Sequence, residues 1–319
     1  MIVVCGEALI DLVPAAAGTG AFQAHPGGSP ANVAVGLGRL GVDVSLLARV
    51  AGDAFGRRLR EHLAASKVGL DLITESADPT TLAVVSGAAD AAEYDFYIEG
   101  CADGGWSVGG LPADLPAGAA LHVSGSLALP VESMAAAFEA LLLRERPWRV
   151  IAFDPNVRPL LIRDPDAIRA RLIRWLGLAD IVKVSSEDLG WVAPGRPVEA
   201  VAREWREMGP SVVVVTRGGE GVHAVGPAGS VDLPAEPIKI VDTVGAGDSF
   251  MSGLLAALHD GNRLHRPELA GLSADELIGA LRYAARVAAI TCGRAGADPP
   301  WRHELVAADS AAEPPPVVP

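Results

Sequence analysis

Short apolar runs alternate along the chain with longer stretches in which apolar residues recur every three or four positions. The short runs predict strands at Ile2–Cys5, Val44–Arg49, Leu121–Val123, Val150–Phe153, Ile181–Val184 and Val212–Thr216. The longer ones predict helices at Pro30–Leu40, Phe55–Ser66, Val131–Leu143, Asp166–Leu176, Val198–Met208, Ala246–Leu258 and Ala274–Cys292. Ser273 and Glu276 have capping-box spacing, which sets the start of the last helix. Such alternation is the texture of a sheet with crossover helices, an α/β fold. One segment departs from it. Thr81–Ser86 and Glu93–Ile98 read as two strands bridged by Gly87-Ala88-Ala89-Asp90-Ala91-Ala92, a hairpin composition. Strand pieces between Ala8 and Phe22 would complete a small β flap beside the main sheet.

With 319 residues, half of them apolar, the chain buries a sizeable core as one large α/β domain or two smaller ones. Net charge is −13, from 26 basic against 39 acidic residues, which disfavours nucleic-acid binding. A phosphate ligand stays open, because a single pocket is governed by its own amides and cations. Cys5, Cys101 and Cys292 are widely spaced and support neither a disulfide framework nor a zinc cluster. Met1 runs into Ile2-Val3-Val4-Cys5 with no basic leader, and no apolar run reaches the ~18 residues of a membrane span. The expectation is a cytoplasmic protein without a membrane or nucleic-acid partner. Residues 306–319 read as an Ala/Pro-rich tail.

The strongest chemical signal is Asp242-Thr243-Val244-Gly245-Ala246-Gly247-Asp248-Ser249-Phe250, which leads straight into an apolar helical stretch. The Gly-Ala-Gly turn therefore sits at a helix N-terminus, where free amides and the positive end of the helix dipole hold an anion. Asp248 is then a carboxylate fixed beside that anion, a placement that suits a general base. Helix capping alone accounts for Asp248 and the glycines but leaves Asp242 and Thr243 unexplained. Gly27-Gly28-Ser29-Pro30-Ala31-Asn32 opens an earlier helix, with Ser29 suited to the N-cap and Pro30 to the first helical position. Those rules leave over Asn32, whose amide beside the Gly-Gly turn suits substrate hydroxyls. Gly36-Leu37-Gly38-Arg39-Leu40-Gly41 satisfies G-x-G-x-x-G but closes a helix instead of following a strand, so it is no dinucleotide fingerprint. Gly41 reads as a helix C-terminal glycine. Asp154-Pro155-Asn156-Val157-Arg158 follows a strand, where ligands of open parallel sheets collect; an Asx-type turn accounts for the same residues.

Residues 242–248 match every fixed position of D-T-x-G-A-G-D, and with Gly27–Asn32 they make the chain resemble the ribokinase-like, or PfkB, carbohydrate kinases. The resemblance implies a three-layer α/β/α sandwich with a mainly parallel central sheet. It implies one kinase domain over residues 1–305, with a β lid near 12–24 and 80–106. It assigns Asp11, at the end of the first strand, with Gly27, Gly28, Asn32 and Asp242 to the sugar hydroxyls. Thr216, Gly218 and Gly221 of a T-x-G-x-x-G turn, with Lys183, Gly245 and Gly247, would contact the nucleotide phosphates. D-P-N-x-R resembles the fructokinase and 2-keto-3-deoxygluconate kinase branches, in which Arg158 would steady the phosphoryl group or an acidic substrate. Where many members carry N-x-x-E, whose acid holds Mg²⁺ through water, this chain has Ser185 and Asp188 with Glu187 adjacent. Carbonyls near Asp242–Thr243 and in 288–296 correspond to a K⁺ site of relatives, and the lid to a homodimer contact.

The expected activity is transfer of the γ-phosphoryl group of ATP to a hydroxyl of a small sugar. Asp248 is the base, and the amides of Gly245, Ala246 and Gly247 form the anion hole. Ser29 stands where ribokinases carry Lys, which counts against ribose. Gly6-Glu7-Ala8-Leu9-Ile10-Asp11 is similar to bacterial fructokinases, but Ile98 follows Phe96-Tyr97 where their lids have Arg. Fructose is the expected substrate; 2-keto-3-deoxygluconate, ribose and nucleosides are the alternatives. A non-catalytic sugar or nucleotide sensor is the reading from another class.

Overall fold

In the computed structural model the described residues are 1–15, 20–86 and 93–305. Strand β1 (Ile2–Cys5) pairs in parallel with β4 (Val44–Ala51) on one side and β8 (Ala120–Ser124) on the other. Beyond β4 the sheet ends at β5 (Ile73–Ser76). Beyond β8 it runs in parallel through β9 (Ile151–Asp154), β10 (Ile181–Ser185) and β11 (Val212–Thr216). It closes with antiparallel β12 (Val222–Gly226) and β13 (Gly229–Leu233). Chain order reverses between β1 and β8, and ligands of such sheets bind beyond the strand ends at that crevice.

Helices cover both faces. Side chains of α1 (Ser29–Arg39), α2 (Ala54–Ala65), α7 (Ala246–Asp260), α8 (Arg266–Ala270) and α9 (Ala274–Cys292) pack with Val4, Ile181 and Val214. Those of α3 (Glu132–Glu145), α4 (Pro165–Leu176), α5 (Ser186–Val192) and α6 (Val198–Glu207) pack with Val3, Phe153 and Val182. Phe153 and Trp175 meet edge-to-face at 5.8 Å in that second layer, each buried ring contributing about 1.5–3 kcal/mol or more. Because side chains alternate along a strand, Ser124, Asp154, Lys183 and Thr216 fall on the α1–α7 face. The sheet thus presents its polar strand ends to the start of α7.

A second sheet, ordered β3-β2-β6-β7, contains β2 (Leu9–Pro14), β3 (Phe22–Gly27), β6 (Leu82–Ser86) and β7 (Glu93–Tyr97). This is the expected flap, with β2 and β6 parallel and both outer pairs antiparallel. The bridge at 87–92 and the tail at 306–319 lie outside the described residues. Two expectations need correction. Asp11 is not at the end of the first strand; it lies inside β2, because the chain turns after Cys5 and starts a new strand. Ser29 is not the cap of α1: the helix starts at Ser29 itself with Gly28 at the N-cap and no side-chain cap bond. Strands β5, β12 and β13 and helices α5 and α8 add to the expected elements. Gly41, φ 78, does close α1, and the Ser273–Glu276 capping box is formed.

Candidate active site

The Gly-Ala-Gly turn at the start of α7 is held from the far end of the chain. Gly245 is left-handed (φ 74), and a Cβ there would lie 2.5 Å from Ala297 Cβ and 2.9 Å from its Cα. Asp242 accepts the Val244 amide on Oδ1 (3.0 Å) and the Gly296 amide on Oδ2 (2.8 Å). The amides of Val241 and Asp242 donate to the Cys292 carbonyl. Of the three expected anion-hole donors, Ala246 N–H is turned back to Thr243 O at 3.2 Å. The amides of Gly245, Gly247 and Asp248 have no acceptor among the described residues. Asp242, expected on the sugar, fixes this turn with both carboxylate oxygens. Gly245→Ala is expected to lower the unfolding free energy by roughly 1–2 kcal/mol from the left-handed backbone alone, and by more once Ala297 moves. Urea denaturation measures it; an unshifted midpoint would mean that the turn relaxes without strain.

Asp248 lies one helical step inside the turn, 8% exposed. Its Oδ1 accepts from Ser29 Oγ at 2.7 Å and its Oδ2 from Asn32 Nδ2 at 2.9 Å. The two glycine signatures, 216 residues apart at Asn32 and Asp248, therefore converge on one carboxylate. Burial pushes the Asp248 carboxyl up, against the pull of the Asn32 and Ser29 bonds and the Lys183 ammonium. A carboxylate made more basic is better matched to taking a proton near neutrality.

Lys183 and Asp154 form a buried ion pair at 2.8 Å, with side chains 5% and 1% exposed. Burial works against the ammonium, but Asp154 outweighs it and Lys183 is raised. A Cβ on Gly247 would stand 2.8 Å from Lys183 Nζ, so this cation lies directly under the open amides. The other Asp154 oxygen accepts the Asn156 amide at 3.2 Å, with Asn156 left-handed at φ 41; the Asx-type turn is present as well. Asp188 starts α5 behind a Ser185 cap of 3.0 Å, and its carboxyl is pushed up to about 6 by burial and by Asp154. Glu187 beside it is exposed. Of the two carboxylates, Asp188 faces the ion pair.

Thr216 ends β11 level with Ser185, and Gly218 opens a short turn with φ 53. Gly221 packs against the end of β13. Arg217 is drawn away from this rim, pairing with Asp232 at 2.8 Å.

On the lid side, a Cβ on Gly27 would stand 2.1 Å from Asp11 Oδ2. Gly28 has φ 99, and a Cβ there would lie 2.8 Å from the Glu7 carbonyl. The Gly-Gly pair thus lets the lid strand and the β1 loop close over α1. Burial pushes the Asp11 carboxyl up to about 6, opposed by Arg158 and reinforced by Asp248. Tyr94 of β7 is raised by burial and by Asp11, with Arg158 opposing. Arg158, half-buried, is therefore close enough to act electrostatically on both Asp11 and Tyr94. Glu7, Ser124, Ser126 and Tyr94 were not singled out by the motifs. Polar residues just after the short apolar runs of β1 and β8 were the available signal for the first three.

Among the described residues no cluster of three or more His, Cys, Asp or Glu could cage a metal ion, and no helix is long and apolar enough to cross a membrane. A pfkB family carbohydrate kinase profile matches residues 1–304. A fructokinase from Rhizobium leguminosarum bv. trifolii is 38% identical over 279 residues, covering 87% of this chain and 85% of that protein. A fructokinase double mutant from Vibrio cholerae O395, solved in fructose-, ADP- and potassium-bound form, superposes with a TM-score of 0.84 at 27% identity, over 96% of this chain and 97% of that one. An aminoimidazole riboside kinase from Salmonella enterica, complexed with aminoimidazole riboside and an ATP analog, gives 0.83 at 25% identity, over 96% and 98%. With both glycine signatures meeting at Asp248 and the family profile running almost end to end, the chain belongs to the pfkB family of carbohydrate kinases.

Proposed function

We propose that this protein is an ATP-dependent fructokinase of the cytoplasm, working as one domain over residues 1–305 with the second sheet as its lid. The observation that carries the reading is Asp248, held by Ser29 and Asn32 beside open amides and the Lys183 ammonium. Fructokinases among the relatives, and a fructose- and ADP-bound structural neighbour, support the substrate. In this mechanism Asp248 accepts the proton of the sugar hydroxyl as its oxygen attacks the γ-phosphorus of ATP. A base in that position contributes about 10²–10⁴-fold. The amides of Gly245 and Gly247, with Lys183, take up charge on the phosphoryl oxygens; losing one such preorganised donor commonly costs about 3–4 kcal/mol.

Mg²⁺ arriving with the nucleotide would neutralise phosphate charge. Asp188 is the carboxylate placed to hold it through water, in keeping with a metal carried by substrate and not caged by protein. The potassium-bound neighbour supports a K⁺ site where the 242–243 and 288–296 segments meet. Asp11, Gly27, Gly28 and Asn32 orient the sugar. Arg158 supplies from the sheet the guanidinium that the lid lacks at Ile98, and it would pair equally well with the carboxylate of 2-keto-3-deoxygluconate. Thr216, Gly218 and Gly221 line the nucleotide side. Closure of the lid excludes water, which otherwise competes as acceptor. A homodimer through the lid belongs to the same reading, since its outer strands expose Phe22 and Tyr97.

The test is sugar-dependent ADP formation measured with fructose, ribose, 2-keto-3-deoxygluconate, tagatose 6-phosphate and adenosine. Fructose is expected to give the highest kcat/KM. A higher value for another acceptor would reassign the substrate, and ligand-induced thermal stabilisation without turnover would replace the kinase with a sensor.

A further inference from the structure

Behind Asp248 a row of hydroxyls leads to a second buried acid. Ser29 Oγ donates to Asp248 Oδ1 at 2.7 Å. Ser124 Oγ donates to Ser29 Oγ at 3.1 Å and lies 3.0 Å from Ser126 Oγ. Ser126 Oγ in turn is bonded to Glu7 Oε1. Glu7 is 1% exposed, and its other oxygen has no hydrogen-bond partner among the described residues. Only the Ser124–Ser126 contact is local: Ser124 ends β8 and Ser126 follows it, Glu7 follows β1, and Ser29 opens α1.

The hydrogens in this row can be counted. Five oxygens make four links, and each link takes one hydrogen. Three serines supply three. If both carboxyls were ionised, Ser29 and Ser126 would turn their hydrogens outward to the two acids and one link would lack a hydrogen, leaving two oxygens facing each other in a buried site. A fully bonded row needs one carboxyl proton, on Glu7 or on Asp248. The surroundings choose the end. Asp248 faces Asn32 and Lys183, which favour its ionised form, against Asp154 and Asp11. Glu7 is pushed up by burial and lies near the buried carboxyl of Asp103 and the Cys5 thiol, opposed by its own backbone amide, by Arg158 and by the Ser29 amide at 3.2 Å on the oxygen already in the row.

We propose that Glu7 and Asp248 are the two ends of a one-proton hydrogen-bond wire, and that Glu7 holds the proton in the resting protein so that Asp248 stays ionised. In that state Glu7 donates to Ser126, Ser126 to Ser124, Ser124 to Ser29 and Ser29 to Asp248. Moving each of the four hydrogens along its own link gives the opposite form, with Asp248 protonated and Glu7 ionised; no atom or charge is gained. The inference rests on Asp248 as the base of the proposed kinase. When Asp248 takes the sugar proton, the far end of the wire is already filled. That proton therefore stays on Asp248 until the product leaves and it passes to solvent. Glu7 is thus a positioning residue, acting on the reaction through Asp248.

Infrared spectroscopy of the protein without sugar or nucleotide reads the protonation directly, whether or not it phosphorylates fructose. At neutral pH a protonated-carboxyl C=O band that moves on ¹³C labelling of glutamate is expected. It should vanish in Glu7→Gln and persist in Asp248→Asn, and Ser124→Ala, which cuts the wire at its midpoint, should shift it. A buried Asp103 contributes a separate band that responds only to labelled aspartate. A band lost in Asp248→Asn and kept in Glu7→Gln would put the proton at the wrong end and overturn the proposal. So would the absence of any glutamate band, or a Glu7 band that ignores Ser124→Ala. Should Glu7→Gln fail to fold, Ser126→Ala must shift the same band for the proposal to stand. Failure of the fructokinase reading would show in the ADP assay alone.

Discussion

Asp248→Asn is expected to lower kcat with fructose by about 10²–10⁴-fold while the chain stays folded. The amide cannot take up a proton at neutral pH, yet it matches the carboxylate in shape. Its oxygen still accepts the Ser29 hydroxyl, and removing a carboxylate that burial pushes up relieves part of the desolvation. Against that, the new NH₂ faces Asn32 Nδ2, donor to donor, in place of the 2.9 Å bond. An unsatisfied buried group of this kind costs about 1–3 kcal/mol unless Asn32 turns over. Steady-state kinetics beside a thermal melt separates the two effects. Full activity in a folded variant would remove Asp248 from the role of base.

The second large effect is on stability. Lys183→Met leaves Asp154 buried and 1% exposed without its 2.8 Å partner. Breaking one side of such a pair typically costs about 3–5 kcal/mol, because the remaining charge is uncompensated. The loss carries a pH signature. In the parent, Lys183 is raised, so its contribution is complete below the ordinary lysine range and fades only as pH rises through the higher folded value. Adding Asp154→Asn should restore part of the loss, because no unpaired charge is then left buried. A single variant as stable as the parent, or a double variant with no recovery, would show that the pair is not the source. Nucleotide binding should weaken in both, since the ammonium under Gly247 is gone.

Helix α7 and its turn were legible because two independent rules agreed there: glycines where the backbone must turn, then apolar residues at helical spacing. The strands β1, β4, β9, β10 and β11 were legible because parallel strands buried on both faces read as unbroken apolar runs. β12 and β13 escaped since His223, Ser230 and Asp232 interrupt their apolar pattern, with β13 at the sheet edge. Ser29 shows the limit of local rules. Next to Pro30 its hydroxyl is a natural cap, but a carboxylate 219 positions away in sequence captures it. Glu7, Ser124 and Ser126 carry no motif, and only the juxtaposition of β1 and β8 makes a row of them. That Asp188 and not Glu187 faces the Lys183–Asp154 pair likewise follows from the orientation of α5, which spacing does not supply.

The turn at the start of α7 is completed by residues some fifty positions downstream, with Gly296 tied to Asp242 and Ala297 seated under Gly245. During synthesis these contacts cannot form before residue 297 has left the ribosome, although all five central parallel strands of the sheet from β1 to β11 have long been made. A nascent chain can therefore assemble its parallel strands before the turn that opens α7 has the contacts that hold it.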